Sequence, residues 1–514
     1  FIRSHPLNEE YKSRVNFELD LLEKKNLVNY LVRAIDILKL TNYIPHVTRG
    51  SCGSSLICYL LGISNVDPVK EKISFSRFLN KYRDNLPDID FDFPHYLRDQ
   101  VFLKLQLNWP NQVARISNHV YWHEKSALRE AIRKLGYNKR ILKNELQNFI
   151  KNLTKEEQQK IIKYKNKLEN TFRHYSLHCG GIIFFEDGVP DNLKLNNKTI
   201  SQIIYDKNDI SKTENFKIDI LSSRGISQLV HILGNNIDFT DCKYDKKTYD
   251  LLKCGNNIGI TLAESPLMRK ALLNVKPNSI RDLAICLAII RPAAKDAKDQ
   301  VNTINIKNKF IFDDDAITLL SKNLEIDEDL ADKFRRNISK NKWKKKEKEL
   351  YEKLIKKLSP VKREILENEL SNLQSYSFCK SHAYSYAQLV YKLAYQKANN
   401  PKLFWEATLK NVSSSYKKWV HLYEAYRNGV DISKFYNKKD LSLYAEARHK
   451  NFDTLNIYQQ IVKFGYWDML KYKFYPNCYF YFKNEEYYFS GLIANLKILN
   501  YKYKIIICFI CVAP

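Results

Sequence analysis

The sequence predicts a multidomain α+β protein, on three observations. Its 514 residues exceed what one compact core accommodates, so two to four domains are expected. Apolar residues recur at three- and four-residue intervals over most of the chain, the spacing of amphipathic helices. Strand-like alternation is confined to LPDIDFDFP, GGIIFF, NFKIDIL and a Tyr- and Ile-rich stretch from about residue 466.

In chain order, YKSRVNFELDLLEKKNLVNYLVRAIDILKL reads as two amphipathic helices. A Gly/Ser turn, RGSCGSS, leads into a helix through SLICYLLG, and LPDIDFDFP is a strand bounded by prolines. Residues 111 to 175 read as helical and charged, with no strand pattern. GGIIFF and NFKIDIL are strands, the second ending at Ser222-Ser223-Arg224-Gly225. Residues 233 to 420 are helical again and include NKWKKKEKELYEKLIKKL, whose mixed charges suit an exposed helix. The last stretch reads as a small β domain, and no internal repeat is present.

Apolar residues make up 44% and aromatics 13%, enough for burial, which excludes a disordered chain. Lys plus Arg total 84 against 57 Asp plus Glu, a formal net charge of +27. Such an excess points to a polyanionic partner, nucleic acid before membrane. An AT-rich genome would also inflate Lys, Asn, Ile and Tyr, so the charge acquires meaning only beside motifs. The ten cysteines are scattered, and the close pair Cys508 and Cys511 lies in IIICFICVA, a buried-strand pattern rather than half a zinc site. A reduced, cytoplasmic chain is expected. That same segment is the longest apolar run and is far below a bilayer span, so no membrane partner is expected. No signal peptide precedes Phe1, and the chain starts without Met and stops at Val512-Ala513-Pro514, so a fragment of a longer protein is expected.

The sharpest chemistry lies in Pro87-Asp88-Ile89-Asp90-Phe91-Asp92-Phe93. Alternation sends Ile89, Phe91 and Phe93 to one face and the three aspartates to the other. Like charges along one strand face repel one another, and a divalent cation removes the conflict. Carboxylate oxygens suit Mg²⁺, which keeps water and substrate phosphates as its other ligands. In Phe216-Lys217-Ile218-Asp219-Ile220, Lys217 and Asp219 share the polar face. Residues two apart on a face lie roughly 7 Å apart, and their side chains can converge on two metals about 4 Å apart. Phosphodiester hydrolysis and nucleotidyl transfer both use that arrangement, so the carboxylates leave nuclease and polymerase open. Arg49-Gly50-Ser51 ahead of a helix is a second signal: glycine lets amides approach an anion, and a helix N-terminus favours negative charge.

RGSCGSSLICYLLGISNVDP followed by FSRFLNKYRDNLPDIDFDF resembles the central motif of the bacterial DNA polymerase III alpha subunit family. HCGGIIFF, FKIDIL, GITLAESPLMR, LAIIRPAAKDA, ADKFRRNISK and CKSHAYSYAQLVYKLAYQKANNP resemble that family's later motifs in its order, over roughly residues 10 to 412. The resemblance implies a palm similar to β-type nucleotidyltransferases over 1–110 and 176–232, a helical thumb over 111–175 and helical fingers over 233–420. A helical linker or little finger over 421–465 and an OB-like β region over 466–514 would follow. It further implies metal-binding carboxylates at Asp88, Asp90 and Asp219 holding two Mg²⁺ ions, with Asp92 in a supporting role. Arg49, Gly50, Ser51 and Lys217 would hold the incoming triphosphate, and Arg291, Lys380 and His382 would face nucleotide or template from the fingers. The implied partners are primer–template DNA, deoxynucleoside triphosphates and a sliding clamp or other replication proteins. No segment matches the family's amino-terminal phosphoesterase domain, a proofreading module or a clamp-binding segment.

The chain departs from the family at His46-Val47-Thr48, where glycine-proline-glycine is usual, at Ala293-Ala294 in the RPGP turn, and at Leu262 before Ala263-Glu264-Ser265. The expected activity is template-directed DNA synthesis. A two-metal nuclease and a non-catalytic DNA-binding remnant are the rivals; the first has no use for Arg49-Gly50-Ser51.

Overall fold

A computed structural model of the chain describes residues 3, 8–82, 88–137, 146–196, 200–213, 215–290, 312–371, 378–411, 416, 418–435, 479–482, 485–488, 492–501 and 504–512. The chain forms two compact units, Phe1–Asp99 with Leu221–Pro514, and Gln100–Ile220.

The first unit opens with the two expected helices, α1 (Glu9–Lys24) and α2 (Val28–Leu40). A short strand β1 (Val47–Arg49), a 3₁₀ turn (Ser51–Ser54) and helix α3 (Leu56–Leu60) follow. Strand β2 (Ile89–Pro94) pairs antiparallel with β1. Its alternation is the predicted one, with Ile89, Phe91 and Phe93 all fully buried. The departure at His46-Val47-Thr48 is absorbed as core. The His46 ring is buried, lies edge-on to Phe91, and its two nitrogens meet the carbonyls of Ile44 and Gly62 at 3.1 Å. Burial therefore pushes the His46 pKa down.

The second unit carries α4 (Arg98–Asn108), β3 (Val113–Tyr121), α5 (Glu124–Lys134), α6 (Leu146–Lys151), α7 (Lys155–Leu168) and β4 (Phe172–Phe184). Then come β5 (Lys194–Asn196), β6 (Ser201–Ile203), α8 (Lys207–Ile210) and β7 (Lys217–Ser223), whose last three residues belong to the first unit. Within this unit the strand order is β7-β4-β3-β6-β5. Strand β3 corrects the expectation of helix throughout 111–175. VARISNHVY alternates only at its ends, and its polar centre hides the strand from a periodicity reading. Antiparallel pairing along β4, from Val113↔Phe184 to Tyr121↔Phe172, is what makes it one. The helices of this segment, α5 to α7, lie between those two strands and bury Ala131, Ile132 and Ile161 among themselves.

After β7 the first unit resumes as helices: α9 (Arg224–Leu233), α10 (Lys246–Lys253), α11 (Pro266–Val275) and α12 (Ile280–Ile289). The series continues with α13 (Asp313–Leu324), α14 (Glu328–Lys340), α15 (Lys345–Lys356) and α16 (Pro360–Ser371). It ends with α17 (Lys380–Asn399), α18 (Pro401–Asn411) and α19 (Lys418–Arg427). The α15 helix is the lysine-rich run, which buries Ile355 and leaves most of its charges in water. The strands β8 (Tyr479–Phe482), β9 (Glu485–Tyr488), β10 (Leu492–Tyr501) and β11 (Lys504–Val512) form two separate antiparallel pairs. This is the β structure expected near the C-terminus, but an OB fold is a five-stranded barrel, and no pairing among the described residues closes one.

The long α17 runs through the helical core, with Leu389, Val390, Leu393 and Ala394 fully buried. At its far end Lys397 is 6% exposed and donates to the carbonyls of Asn256 at 3.0 Å and Ile258 at 2.7 Å. Burial pulls the Lys397 pKa from 10.5 down to about 7, with Arg269 acting the same way and Glu424 and Glu264 opposing. The unfolded chain thus binds a proton that the folded chain lacks over this interval, so stability should rise with pH between about 7 and 10.5. Urea unfolding at pH 7 and pH 9 should show this rise, and Lys397→Met should flatten it. An equal slope in both proteins would assign the pH dependence to other groups.

Candidate active site

The register of β1 against β2 sets Arg49 directly opposite Asp90 and Val47 opposite Asp92. Cross-strand partners share a face, so the arginine of the turn and two of the aspartates converge. Arg49 Nε lies 3.8 Å from Asp90 Oδ2 and 3.9 Å from Asp92 Oδ1, near enough for charge pairing but long for a hydrogen bond. Asp90 keeps 21% of its side chain exposed, whereas Asp92 keeps only 4%. That difference separates their surroundings. Asp92 accepts a hydrogen bond from the Tyr386 hydroxyl at 2.7 Å, and burial raises its pKa against the pull of Arg49 and Tyr386. It is enclosed and committed to neighbours. Asp88 stands just ahead of the strand. Next to it, the Ile89 N–H donates to the buried Tyr30 hydroxyl at 3.2 Å, which fixes where β2 begins.

Gly50 adopts φ +84°, a left-handed conformation that a side chain would strain, so glycine is required at this turn. Its N–H donates to His382 Nδ1 at 3.3 Å, and its carbonyl accepts from Ser381 Oγ at 2.9 Å. Ser385 Oγ donates to the Thr48 carbonyl at 2.7 Å. Residues 381, 382, 385 and 386 form one face of α17, and that face grips β1, the turn and Asp92. Gly53 completes the fit, since a Cβ there would stand 2.9 Å from Ser381 Cβ. Accepting the Gly50 N–H leaves His382 Nδ1 without a proton, so a neutral ring carries it on Nε2. Lys380 begins α17, with Nζ donating to the Lys72 carbonyl at 3.2 Å. Ser51 is 8% exposed in the 3₁₀ turn. Arg291, the remaining predicted contact, lies outside the described residues.

The expectation that the helix after the turn offers its N-terminus to an anion is corrected. Glu18 of α1, fully buried, already occupies it. Its carboxylate accepts from Leu56 N at 2.9 Å, Ile57 N at 3.1 Å and Ser55 Oγ at 2.7 Å, and pairs with Arg14 Nε at 2.6 Å. The N-terminus of α3 is therefore already satisfied within the chain. Glu18 stands 31 or more residues before the turn, and its helical periodicity alone carried no hint of the contact.

In the second unit, Lys217 and Asp219 share the polar face of β7 as predicted, with Nζ 2.9 Å from Asp219 Oδ2. Asp219 stands directly opposite Gly181 of β4. A Cβ on Gly181 would come 2.3 Å from Ile116 Cδ1, so the HCGG segment needs glycine here for close packing. His178, which the sequence reading did not single out, turns back so that Nδ1 accepts from Gly181 N at 2.8 Å. The same atom lies 3.8 Å from Asp219 Oδ1. Burial pushes the His178 pKa down, Asp219 opposing and Lys217 reinforcing, so the ring stays a neutral acceptor. Asp219 Oδ1 is buried and accepts no hydrogen bond among the described residues. A buried carboxylate oxygen in that position suits a hard cation.

Asp88 and Asp90 thus belong to the first unit and Asp219 to the second. Among the described residues, a different trio, His119, Asp206 and Asp209, brings one ligand atom each within 4.8 Å of one another. Its geometry has a local cause. His119 Nε2 is 2.7 Å from the Ile204 carbonyl, and Asp206 and Asp209 cap the short α8 by exchanging backbone hydrogen bonds.

Residues 2–222 match the family described as the bacterial DNA polymerase III alpha NTPase domain, and residues 223–318 its finger domain. The chain belongs to the bacterial DNA polymerase III alpha subunit family. It is similar to DNA polymerase III subunit alpha of Thermotoga maritima, with 29% identity over 79% of this chain and 47% of the relative. The Bacillus subtilis protein of that name is 27% identical over 83% of this chain and 43% of the relative. An error-prone DNA polymerase of Sinorhizobium medicae is 25% identical over 78% of this chain and 41% of the relative. The chain spans less than half the length of these three relatives. The boundary between the two family domains, after residue 222, falls where β7 hands over to α9, at the Ser223 cap.

Proposed function

We propose that this chain is the polymerising core of a DNA polymerase, adding deoxynucleotides to a primer 3′-hydroxyl on a template strand. The observation that carries the reading is the pairing of Arg49 with Asp90 across β1 and β2, beside a glycine turn gripped by the first turns of α17. A nuclease needs the carboxylates but has no need of a phosphate turn backed by fingers.

In this reading Asp88, Asp90 and Asp219 hold two divalent cations, Mg²⁺ by the hardness of their oxygens. Such ions neutralise charge at a reacting phosphate and favour ionisation of the attacking hydroxyl. The new bond joins the primer O3′ to the α-phosphorus, and pyrophosphate leaves. Arg49 presents its fork of donors to the triphosphate oxygens, a geometry guanidinium matches well. Ser51 and the turn amides add neutral donors, and Lys217 adds a cation where negative charge grows. His382 presents its Nε2–H toward nucleotide or template, and Arg291 and Lys380 contribute from the fingers. Without a substrate, Arg49 and Lys217 act as counter-charges to Asp90 and Asp219, so they stand ready at the carboxylates they would serve.

We assign palm to 1–110 and 176–232, thumb to 111–175, fingers to 233–420, and the β pairs near the C-terminus to an OB-like region that would hold single strand. Cationic thumb and finger surfaces would bind the duplex through phosphates, independent of sequence.

Primer extension on a primed template with Mg²⁺ and four deoxynucleotides tests the reading. Wild type should extend, an Asp88→Asn/Asp90→Asn variant should not, and both should bind DNA. Binding without extension by either protein would leave a DNA-binding role in place of the polymerase.

A further inference from the structure

The helix that grips the phosphate turn lacks a cap of its own. Cys379, at the N-cap of α17, accepts no backbone N–H of the first turn; its thiol instead meets Ser381 Oγ at 3.1 Å and donates to the Gly50 carbonyl at 3.5 Å. A residue from another helix takes that part. Asp314, in the first turn of α13 and 3% exposed, accepts the Lys380 N–H through Oδ2 at 2.7 Å. One residue earlier, Asp313 N donates to the Phe378 carbonyl at 3.1 Å. The two neighbouring residues of α13 therefore hold the chain on both sides of Cys379.

Asp313 is itself anchored. Arg77 Nη2 and Arg335 Nη1 meet its Oδ2 at 3.1 Å and 3.2 Å, and Arg335 also bonds Asp332 of α14. Asn80 Nδ2 meets the other oxygen of Asp332 at 2.9 Å. Arg77 and Asn80 belong to the FSRFLN segment, so the motif's arginine and asparagine support this platform. Burial first, and then the adjoining Asp313, push the Asp314 carboxyl well above the usual carboxylate range. A neutral Asp314 can donate its proton to Asp313 while its other oxygen accepts from Lys380.

We propose, on the reading given under Proposed function, that Asp314 is a positioning residue for nucleotide addition: a cap borrowed from α13 that fixes the first turn of α17 and thereby holds Ser381 and His382 against Gly50. The consequence of losing it follows from the contacts. Fraying of that turn would loosen Ser381 Oγ from the Gly50 carbonyl and His382 from the Gly50 N–H. The turn would then reach the triphosphate with its backbone unfixed. Nucleotide affinity should suffer more than the chemical step, because the carboxylates on β2 and β7 are untouched.

The decisive comparison is Asp314→Asn against Asp314→Leu, with Ser381→Ala as an independent variant. Asparagine keeps an oxygen for Lys380 and an N–H for Asp313, whereas leucine fills the space with neither. Single-nucleotide insertion should show KM for the deoxynucleotide raised about tenfold in Asp314→Leu, with kcat changed less, and near wild-type values in Asp314→Asn. Ser381→Ala should raise KM in the same direction without touching the acidic pair. Hydrogen exchange should be faster at amides 380–384 in Asp314→Leu and unchanged in α9. Wild-type KM and wild-type exchange in Asp314→Leu would overturn the proposal, as would an Asp314→Asn variant as impaired as Asp314→Leu. If Asp314→Leu does not fold, an unaltered KM in Ser381→Ala overturns it and a raised one supports it. If wild type itself extends no primer, the polymerase reading fails, and exchange at residues 380–384 alone decides whether Asp314 is the cap.

Discussion

Replacing Arg49 with Ala should lower kcat/KM for single-nucleotide insertion by about 100- to 1,000-fold, the range expected for removing one preorganised charged donor from a developing anion. Arg49 is the only cation that the β1–β2 register places opposite Asp90, and its fork is held by three neighbours. Asp90 and Asp92 draw the guanidinium from one side, and the Tyr386 hydroxyl bonds to it. Lysine restores the charge but not the fork, so Arg49→Lys should recover only part of the loss. The variant should also lose some stability, because Asp92 would remain buried with Tyr386 as its donor and no cation. Insertion kinetics and denaturant unfolding on the same samples separate the two effects. A drop below tenfold in kcat/KM with a clear loss of stability would make Arg49 a counter-ion of the aspartates and nothing more.

Glu18→Ala should destabilise the first unit by about 3–5 kcal/mol, the cost of removing the buried member of an ion pair that also caps a helix. The carboxylate is fully enclosed and serves Arg14, Ser55 and two backbone amides at once. Arg14 also donates to the Ser54 carbonyl at 3.0 Å and the Ile73 carbonyl at 3.2 Å, so its displacement would reach the 3₁₀ turn as well. Glu18→Gln keeps an acceptor but not the ion pair and should cost about 1–3 kcal/mol. Denaturant midpoints measure both. A loss under about 1 kcal/mol for Glu18→Ala would show that α3 needs no cap from α1. The pair of variants also bears on the turn, since a weakened α3 would release the segment that follows Arg49-Gly50-Ser51.

Some of this was legible from sequence because the physics is local. Ile89, Phe91 and Phe93 alternate with Asp88, Asp90 and Asp92 over a span shorter than any tertiary contact, and a strand has only two faces. Lys217 and Asp219 follow the same rule on β7. Gly50 could be expected in a turn because a Gly/Ser run ahead of an apolar helix marks one. The two helices at the start of the chain, and the solvated lysine-rich helix α15, announce themselves by spacing and charge.

Other features had no local signal. Strand β3 exists because β4 and β6 pair with it, and its own Ser117-Asn118-His119 centre argues against it. Glu18 looks like an ordinary helical glutamate until α3 is folded onto it. Asp314 and Lys380 are 66 residues apart, and Asp92 and Tyr386 are 294 apart. His178 becomes a neighbour of Asp219 only through the β4–β7 register. The sequence by itself determined which faces carry carboxylates, where the backbone must turn, and to which family the ordered motifs point, since periodicity and residue type act over a few residues. Only the tertiary structure decided which charges are paired, which helix ends are already capped, and which helix holds the Gly50 turn. Those outcomes depend on burial, and burial is a property of the assembled chain.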